Sequence, residues 1–168
     1  IGLVEAGVGV IPGGAGNLGL YEKFLKGLPN GVDIDLQAVV NKVFETIAMA
    51  KVSASGEEAR ENNFLDFADS VSVNPDHLIY DAKQAAIALY DAGYKAPVKK
   101  KVKVVGAPGY ATLLLGAQGM YDSGFISEYD LAIAKKLAFV LAGGLVPYGT
   151  EVEEEYILGL EKKAFLEL

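Results

Sequence analysis

Apolar residues recur at helical spacing along most of this 168-residue sequence. The clearest stretch, LQAVVNKVFETIAMA at residues 36 to 50, has one apolar face and an opposite face with Lys42 and Glu45. Near the C-terminus a stripe repeats every fourth residue and predicts a face that needs a partner surface: Val152, Tyr156, Leu160, Ala164 and Leu168. Strand signals are confined to residues 8–11, 71–73 and 102–105. The pattern predicts a mainly α-helical chain with about six helices and few short strands.

Short polar residues mark the starts of several predicted helices. Three of them are followed three residues later by an acid, as in a capping box: Ser55 with Glu58, Ser127 with Asp130, and Thr150 with Glu153. Asp35 precedes the helix over residues 36 to 50. Asn74-Pro75 supplies an N-cap residue and a proline at the first helical position, and the helix that follows should stop at Gly93.

Composition and charge narrow the class of protein. Apolar residues make up 51% of the chain and charged residues 22%, as in globular domains and unlike disordered tails. A net charge of -7 argues against a nucleic-acid partner. The basic cluster from Lys99 to Lys103 is interpreted as a solvated strand or loop edge, and the acidic run from Glu151 to Glu155 as a helix start. No membrane segment is predicted, and a cytoplasmic location is expected.

Absent residue types exclude further chemistry. Without cysteine there can be no disulfide, thiolate nucleophile or cysteine-bound metal. His77 is the only histidine, which excludes a histidine-rich metal site and favours a surface or capping role. The abrupt apolar start, without methionine or a signal peptide, leads us to expect a piece cut from a longer chain.

Residues 14 to 19, GAGNLG, match the dinucleotide-binding pattern G-x-G-x-x-G. That motif needs a strand running directly into the loop, here residues 8–11, and an acid at the end of the next strand, here Asp33 or Asp35. Pro12 and Gly13 interrupt the first requirement, and a helix follows the acids too closely for the second. A small NAD-binding domain is therefore the least favoured hypothesis. The alternative is a sharp bend before a helix that starts near Asn17.

Two further sequence patterns give little indication of function. GAPGYAT, residues 106 to 112, lacks the Lys-Ser/Thr of a phosphate-binding loop and is interpreted as a turn. Four aromatic residues are assigned to the core in preference to an acyl pocket: Tyr121, Phe125, Tyr129 and Phe139.

Glu5 stands out because it is a carboxylate inside the apolar run IGLVEAGVGVIP. Such an acid is most often exposed, whereas in an apolar cleft it would be suited to general acid/base chemistry near neutral pH. The stretch LVEAGVGVIPGGAGNLGL resembles a segment of the enoyl-CoA hydratase (crotonase) family, roughly xPExxLGxIPGxGGTxRL. AKVSASGEEARENNFLDFADSVSV resembles the family segment ISAxEAxxxGLVxxVV, with Asn62-Asn63 where the family has glycine.

The closest resemblance is to the hydratase-like C-terminal module of bacterial 3-hydroxyacyl-CoA dehydrogenase fusion proteins. NLGLYEKFLKG and the segment from APGYATLLL to FVLAGG carry it. It implies that residues 1–168 are the mainly α C-terminal part of an α/β, crotonase-like (ClpP/crotonase) fold. The sheet and the NAD-binding dehydrogenase region would then lie before residue 1.

The resemblance also implies roles for two residues in adding water to an enoyl-CoA thioester of fatty-acid β-oxidation. Glu5 matches the second of two catalytic glutamates, and Gly13 matches a glycine whose backbone N–H lies near the water. The first glutamate and the oxyanion hole would lie upstream, so the isolated chain is expected to be inactive.

The implied partners are an acyl-CoA thioester and either further subunits or the rest of the polypeptide. No cofactor or metal is expected in this chain, since NAD would bind the dehydrogenase part. The competing hypothesis is a helical assembly module without catalysis.

Overall fold

The computed structural model describes residues 1–26, 34–99 and 101–168. Within those residues it contains seven α-helices and two short strands. The helices are α1 (Gly16–Lys26), α2 (Leu36–Ala48), α3 (Gly56–Glu61), α4 (Leu78–Asp91), α5 (Gly106–Asp122), α6 (Glu128–Leu141) and α7 (Glu154–Leu166). The strands are β1 (Val102–Lys103) and β2 (Glu151–Val152), and single 3-10 turns lie at Glu5–Val8 and Pro75–His77. The prediction of a mainly helical chain is confirmed, with one α-helix more than expected.

Helix α6 lies at the centre of the core and contacts α1, α2, α5 and α7. Its residues Leu137, Ala138 and Val140 are fully buried, and Val40 and Ile47 of α2 are equally enclosed. Burying each large apolar side chain of this kind stabilises the fold by about 1.5–3 kcal/mol. The helical periodicity of residues 36 to 50 therefore identified a true core face.

Strands β1 and β2 pair antiparallel, with Val102 opposite Val152 and Lys103 opposite Glu151. This confirms part of the strand predicted at residues 102–105. The strand predicted at residues 8–11 is wrong, because a 3-10 turn occupies Glu5–Val8 and the Val10 N–H folds back onto the Glu5 carbonyl at 3.1 Å. The strand predicted at residues 71–73 is also wrong, because these residues pair with no strand in the described part of the chain and Val71 packs against Gly56.

Most of the predicted helix starts are confirmed by their capping hydrogen bonds. Asp35 accepts from the backbone N–H groups of Gln37 and Ala38, and Ser127 forms a full capping box with Asp130. Ser55 also caps as predicted. Asn74 caps the 3-10 turn at Pro75–His77, and α4 begins only after it, at Leu78, without a side-chain cap. The carboxylate of Glu58 accepts from the Ala54 N–H and not from Ser55, so that box is incomplete.

The predicted start of the last helix is wrong. The Thr150 hydroxyl donates to the Pro147 carbonyl at 2.7 Å, and Glu153 is the N-cap residue because β2 intervenes. Val152 belongs to β2 and not to α7. The predicted stripe nevertheless meets the core, because Val152 and Ala164 are buried in it and Leu160 and Leu168 pack against it. The buried face of α7 consists of Ile157, Glu161 and Ala164, while Tyr156 is exposed.

GAPGYAT forms the first turns of α5, so its interpretation as an isolated turn is wrong. Pro108 is tolerated there because N–H groups in the first helical turn have no partner within the helix. Gly106 has a φ of +58°, and a Cβ atom at this position would lie 2.0 Å from the Val146 carbonyl oxygen. A glycine is needed at this helix start for both reasons.

Most of the segment between α3 and β1 lies outside the core, although Phe64 packs against it. No residue from 60 to 99 is buried, and α4, within this segment, has its main contacts with the 3-10 turn that precedes it. None of the helices in the described residues has both the length and the apolar character needed to cross a membrane.

Candidate functional site

The segment before α1 is held in place from two sides. Gly2 forms an antiparallel bridge with Val52, and the Ser53 N–H donates to the Ile1 carbonyl at 2.8 Å. At the other end of the Glu5–Val8 turn, the Tyr129 hydroxyl of α6 donates to the Gly9 carbonyl at 3.0 Å. These contacts fix the backbone on both sides of Glu5.

The Glu5 side chain is half-buried. The sequence allowed either an exposed or an enclosed carboxylate, and the observed burial lies between these two. One carboxylate oxygen, Oε2, is fully buried and has no hydrogen-bond partner within the described residues. A buried polar atom without a partner is unfavourable, and in native proteins it commonly marks a position completed by water, ligand or another chain. Glu5 is therefore a carboxylate with free hydrogen-bonding capacity.

An apolar cavity of about 100 Å³ adjoins the same turn, with Ala6 as part of its wall. The rest of the wall comes from α2, α5 and α6, including Phe44, Met49 and Met120. Asp130 is the one charged residue of the wall, and its carboxylate is already engaged by Ser127. Those hydrogen bonds from the Ser127 hydroxyl and N–H lower the pKa of Asp130, which keeps it ionised and bound to the helix cap.

Gly13 lies in an exposed turn that follows two buried residues, Ile11 and Pro12. A Cβ at Gly13 would have no atom within 4 Å. Gly14 and Ala15 both have positive φ angles, +67° and +70°, before α1 begins. For alanine this left-handed conformation is unfavourable, so neighbouring contacts must hold it.

Those contacts come from Glu161 of α7, a buried carboxylate. Its Oε2 accepts from the Ala15 backbone N–H at 3.0 Å, and its Oε1 accepts from the Asn17 side-chain amide at 2.7 Å. The same Asn17 amide donates to the Pro12 carbonyl at 2.9 Å. The turn from Pro12 to Ala15 is thereby bonded to the C-terminal helix.

This arrangement answers the question raised by the G-x-G-x-x-G pattern. The N-terminus of α1 does face an anion, but that anion is the protein's own Glu161 carboxylate. Residues 8–11 form no strand, and the Asp35 carboxylate caps α2. Asp33 lies outside the described residues. The strand–loop–helix geometry of a dinucleotide site is absent from residues 8–26.

Sequence inspection missed the pair of Asn17 and Glu161. The available signal was the position of Glu161 four residues after Ile157 and three before Ala164, which places a carboxylate on an apolar helix face. The predicted every-fourth-residue stripe concealed it, because that stripe put Glu161 beside the apolar row and not within it.

The other candidate residues lie at the surface or in ion pairs. His77 is exposed, as expected for a surface histidine. The core assignment of the aromatic residues is wrong for Tyr121, Phe125 and Tyr129, which are exposed at the ends of α5 and α6. Phe139 is half-buried and packs edge-to-face with Tyr110, at 5.7 Å between ring centroids.

The lysine cluster and the acidic run face each other across β1 and the start of α7. Lys99 pairs with Glu154 at 2.7 Å and Glu155 at 3.1 Å, and Lys101 pairs with Glu153 at 3.6 Å. Lys100 lies outside the described residues. No group of three or more metal-ligating side chains occurs in residues 1–26, 34–99 and 101–168.

Comparison with known proteins gives one informative similarity. The whole chain is 61% identical to part of a protein of Bacillus subtilis (strain 168) named "Probable 3-hydroxyacyl-CoA dehydrogenase". No family model matches the chain, and no solved structure matches it. The chain spans about a fifth of the length of the curated relative it matches, because the aligned region is 21% of that protein. The chain is thus homologous to one segment of a probable 3-hydroxyacyl-CoA dehydrogenase.

Proposed function

We propose that this chain is one segment of a polypeptide that acts on acyl-CoA thioesters in fatty-acid β-oxidation. The observation that carries the proposal is the 61% identity, over all 168 residues, to part of a probable 3-hydroxyacyl-CoA dehydrogenase. The intact polypeptide is the gene product that carries this chain together with whatever precedes or follows it.

Within the intact polypeptide we assign Glu5 to the hydration of a 2-enoyl-CoA thioester. Adding water across the double bond needs a carboxylate that can bind the water and exchange a proton with the substrate. Glu5 is suited to this role because its side chain is half-buried and its enclosed oxygen, Oε2, has no hydrogen-bond partner within the described residues, so that a water or substrate atom held there in the intact polypeptide would complete it. The exposed backbone N–H of Gly13 would orient the same water.

The apolar cavity beside Ala6 is suited to the acyl end of such a substrate. Apart from Asp130, its wall is formed by alanine, methionine, phenylalanine and branched aliphatic side chains. Binding sites for small apolar groups are enclosed mainly by such residues. Methionine side chains are also adaptable in shape, and Met49 and Met120 would allow the cavity to adjust to the chain it holds.

The remaining parts of the reaction are assigned to regions outside this chain. A second carboxylate and the N–H groups that stabilise the thioester enolate belong there, as does the NAD site of the dehydrogenase. We therefore expect the isolated 168-residue chain to lack hydratase activity.

A chimera tests the proposal directly. This chain would replace the matching fifth of the Bacillus subtilis relative, and the product would be assayed with crotonyl-CoA for hydration and NAD-coupled oxidation. We expect the chimera to retain whatever activity the parent shows, and to lose hydration when Glu5→Gln is introduced. A chimera that folds as the parent does but processes no acyl-CoA would contradict the proposal.

A second role, in assembly, is favoured by helix α4. Large apolar side chains cover about half of its circumference and all are exposed: Leu78, Ile79, Tyr80, Ile87, Leu89 and Tyr90. An apolar helix face of this width normally packs against another element of the fold. We infer that the remainder of the intact polypeptide covers α4, consistent with a relative about five times as long.

Charged substitutions on α4 in the intact polypeptide test this assembly role. Ile79 is 84% exposed in the present fold, so Ile79→Asp should be harmless unless another part of the polypeptide buries it. We expect it to lower the thermal unfolding midpoint, while the matched change Gln84→Asp on the polar face does not. Equal midpoints for the two variants would contradict the inference, as would dissociation of a dimer into stable monomers by Ile79→Asp.

A further inference from the structure

We propose that Glu161 is a positioning residue that fixes the turn from Pro12 to Ala15 and so sets the direction of the Gly13 backbone N–H. The effect of Glu161 on hydration rests on the proposed function, whereas its effect on the turn does not. Glu161 lies far from Gly13 in sequence, and its carboxylate reaches the turn from α7.

The first support is that Glu161 has no partner elsewhere in the described residues. It is 3% exposed, and neither lysine nor arginine pairs with it within the part of the chain that the structure describes. A buried carboxylate is strongly unfavourable unless donors compensate it. The donors are the Ala15 N–H and the Asn17 amide, helped by the positive end of the α1 dipole. The carboxylate and the turn therefore depend on each other.

The second support is the backbone conformation. Ala15 has a φ of +70°, a left-handed conformation that is unfavourable for a residue with a Cβ atom. The hydrogen bond from the Ala15 N–H to Glu161 Oε2 holds the residue in this conformation. Without it, the turn would lose its anchor two residues after Gly13, and the Gly13 N–H would sample several directions.

Glutamine cannot replace Glu161 in this network. Its side chain offers one acceptor, whereas the Ala15 N–H and the Asn17 amide both donate. Rotating the Asn17 amide to accept from the glutamine would place its oxygen against the Pro12 carbonyl, to which it now donates. Glu161→Gln therefore loses at least one hydrogen bond to the turn while leaving the volume of the side chain unchanged.

The test compares Glu161→Gln with Glu155→Gln in the intact polypeptide. Both remove one negative charge from α7, but Glu155 is exposed and pairs with Lys99. We expect Glu161→Gln to speed amide hydrogen exchange at residues 13 to 16 by about tenfold, matching the loss of one net hydrogen bond. We also expect it to lower kcat for crotonyl-CoA hydration by about tenfold or more with KM little changed, as for loss of an interaction made only in the transition state. Glu155→Gln should leave exchange and kinetics as in the wild type.

If Glu161→Gln does not fold, Glu161→Gln combined with Ala15→Gly replaces it. Glycine relieves the positive φ at residue 15, while the acceptor of the anchoring hydrogen bond remains missing. The same loss in kcat is expected. Unchanged exchange at residues 13 to 16 would overturn the positioning role, and so would a kcat equal to that of the wild type. A wild-type polypeptide that does not hydrate crotonyl-CoA would contradict the proposed function, and the exchange measurement would still decide the role of Glu161.

Discussion

Glu5 and Glu161 are carboxylates with contrasting surroundings. Glu161 is fully buried, and both its oxygens accept hydrogen bonds from the turn before α1. Glu5 is half-buried and keeps one oxygen free. A carboxylate whose hydrogen bonds are already formed serves structure, whereas one with free capacity can bind water or substrate. This contrast separates the positioning residue from the candidate catalytic one.

Ionisation of Tyr21 makes the free energy of unfolding depend on pH in the alkaline range. Burial, and to a lesser degree the charge of Tyr148, raises the pKa of Tyr21 well above the ordinary value for a tyrosine, about 10. The folded state therefore keeps the proton that the unfolded state loses, so this contribution is complete below about pH 10 and declines as pH rises beyond it. We expect Tyr21→Phe to flatten the fall in unfolding free energy above pH 10, measured by urea titration.

Below pH 10 the Tyr21→Phe variant should be less stable by about 1 kcal/mol, because the hydrogen bond to the Lys103 carbonyl is lost. Tyr90→Phe is the control, since Tyr90 is 83% exposed on α4. Identical alkaline slopes for the wild type and Tyr21→Phe would contradict the assignment.

The two carboxylates, Glu5 and Glu161, differ in how readily the sequence identifies them as special. Glu5 was identifiable because a carboxylate interrupts an apolar run. For Glu161 the helical spacing to Ile157 and Ala164 indicates a buried face, but the sequence does not indicate its partner, because Asn17 is distant along the chain. A polar pair formed by two helices depends on tertiary packing that local pattern does not encode.

At the scale of elements, the capping box of α6 gives a direct test. The Ser127 hydroxyl accepts from the Asp130 N–H at 3.1 Å, and the Asp130 carboxylate accepts from the Ser127 N–H at 2.9 Å. Ser127→Ala should reduce the unfolding free energy by about 0.5–2 kcal/mol. Ser123→Ala is the control, because that hydroxyl donates to a carbonyl at the end of α5. A loss no greater than in the control would contradict the capping role.

The start of α5 gives a second test. Gly106→Ala would place a Cβ 2.0 Å from the Val146 carbonyl oxygen at a φ of +58°, so we expect a loss of about 3 kcal/mol or more. Gly119→Ala, within the same helix and without a close neighbour, should instead stabilise by about 0.5–1 kcal/mol. Chemical denaturation measures both. A similar result for the two variants would show that the close approach at Gly106 is not required.

Helices were more predictable than strands. The starts of α2, α3 and α6 follow from local capping chemistry, which a short sequence window contains. The two-residue strands β1 and β2 depend on a partner far along the chain, so the short Val-rich runs at residues 8–11 and 71–73 were equally plausible and wrong. The start of α5 was missed because its glycines and proline are typical of turns.

At the scale of the whole molecule, the main feature that the sequence did not predict is the exposure of residues 60–99, none of which is buried. The resemblance predicted a sheet outside this chain. The structure adds that α4 leaves its large apolar side chains exposed, and this exposure is the basis of the proposed assembly role. The crotonase-like fold itself stays a prediction, because within the described residues the only sheet is the pair of β1 and β2.

The most direct measurement of the central claim is the rate of crotonyl-CoA hydration by the intact polypeptide with and without Glu5→Gln. Glutamine keeps the size of the side chain but cannot accept or return a proton at neutral pH. The account predicts that kcat falls by about 10²–10⁴-fold, the usual contribution of a general acid/base, while the thermal unfolding midpoint is unchanged. Hydration at the wild-type rate by Glu5→Gln would contradict the assignment of this chain to the hydratase site.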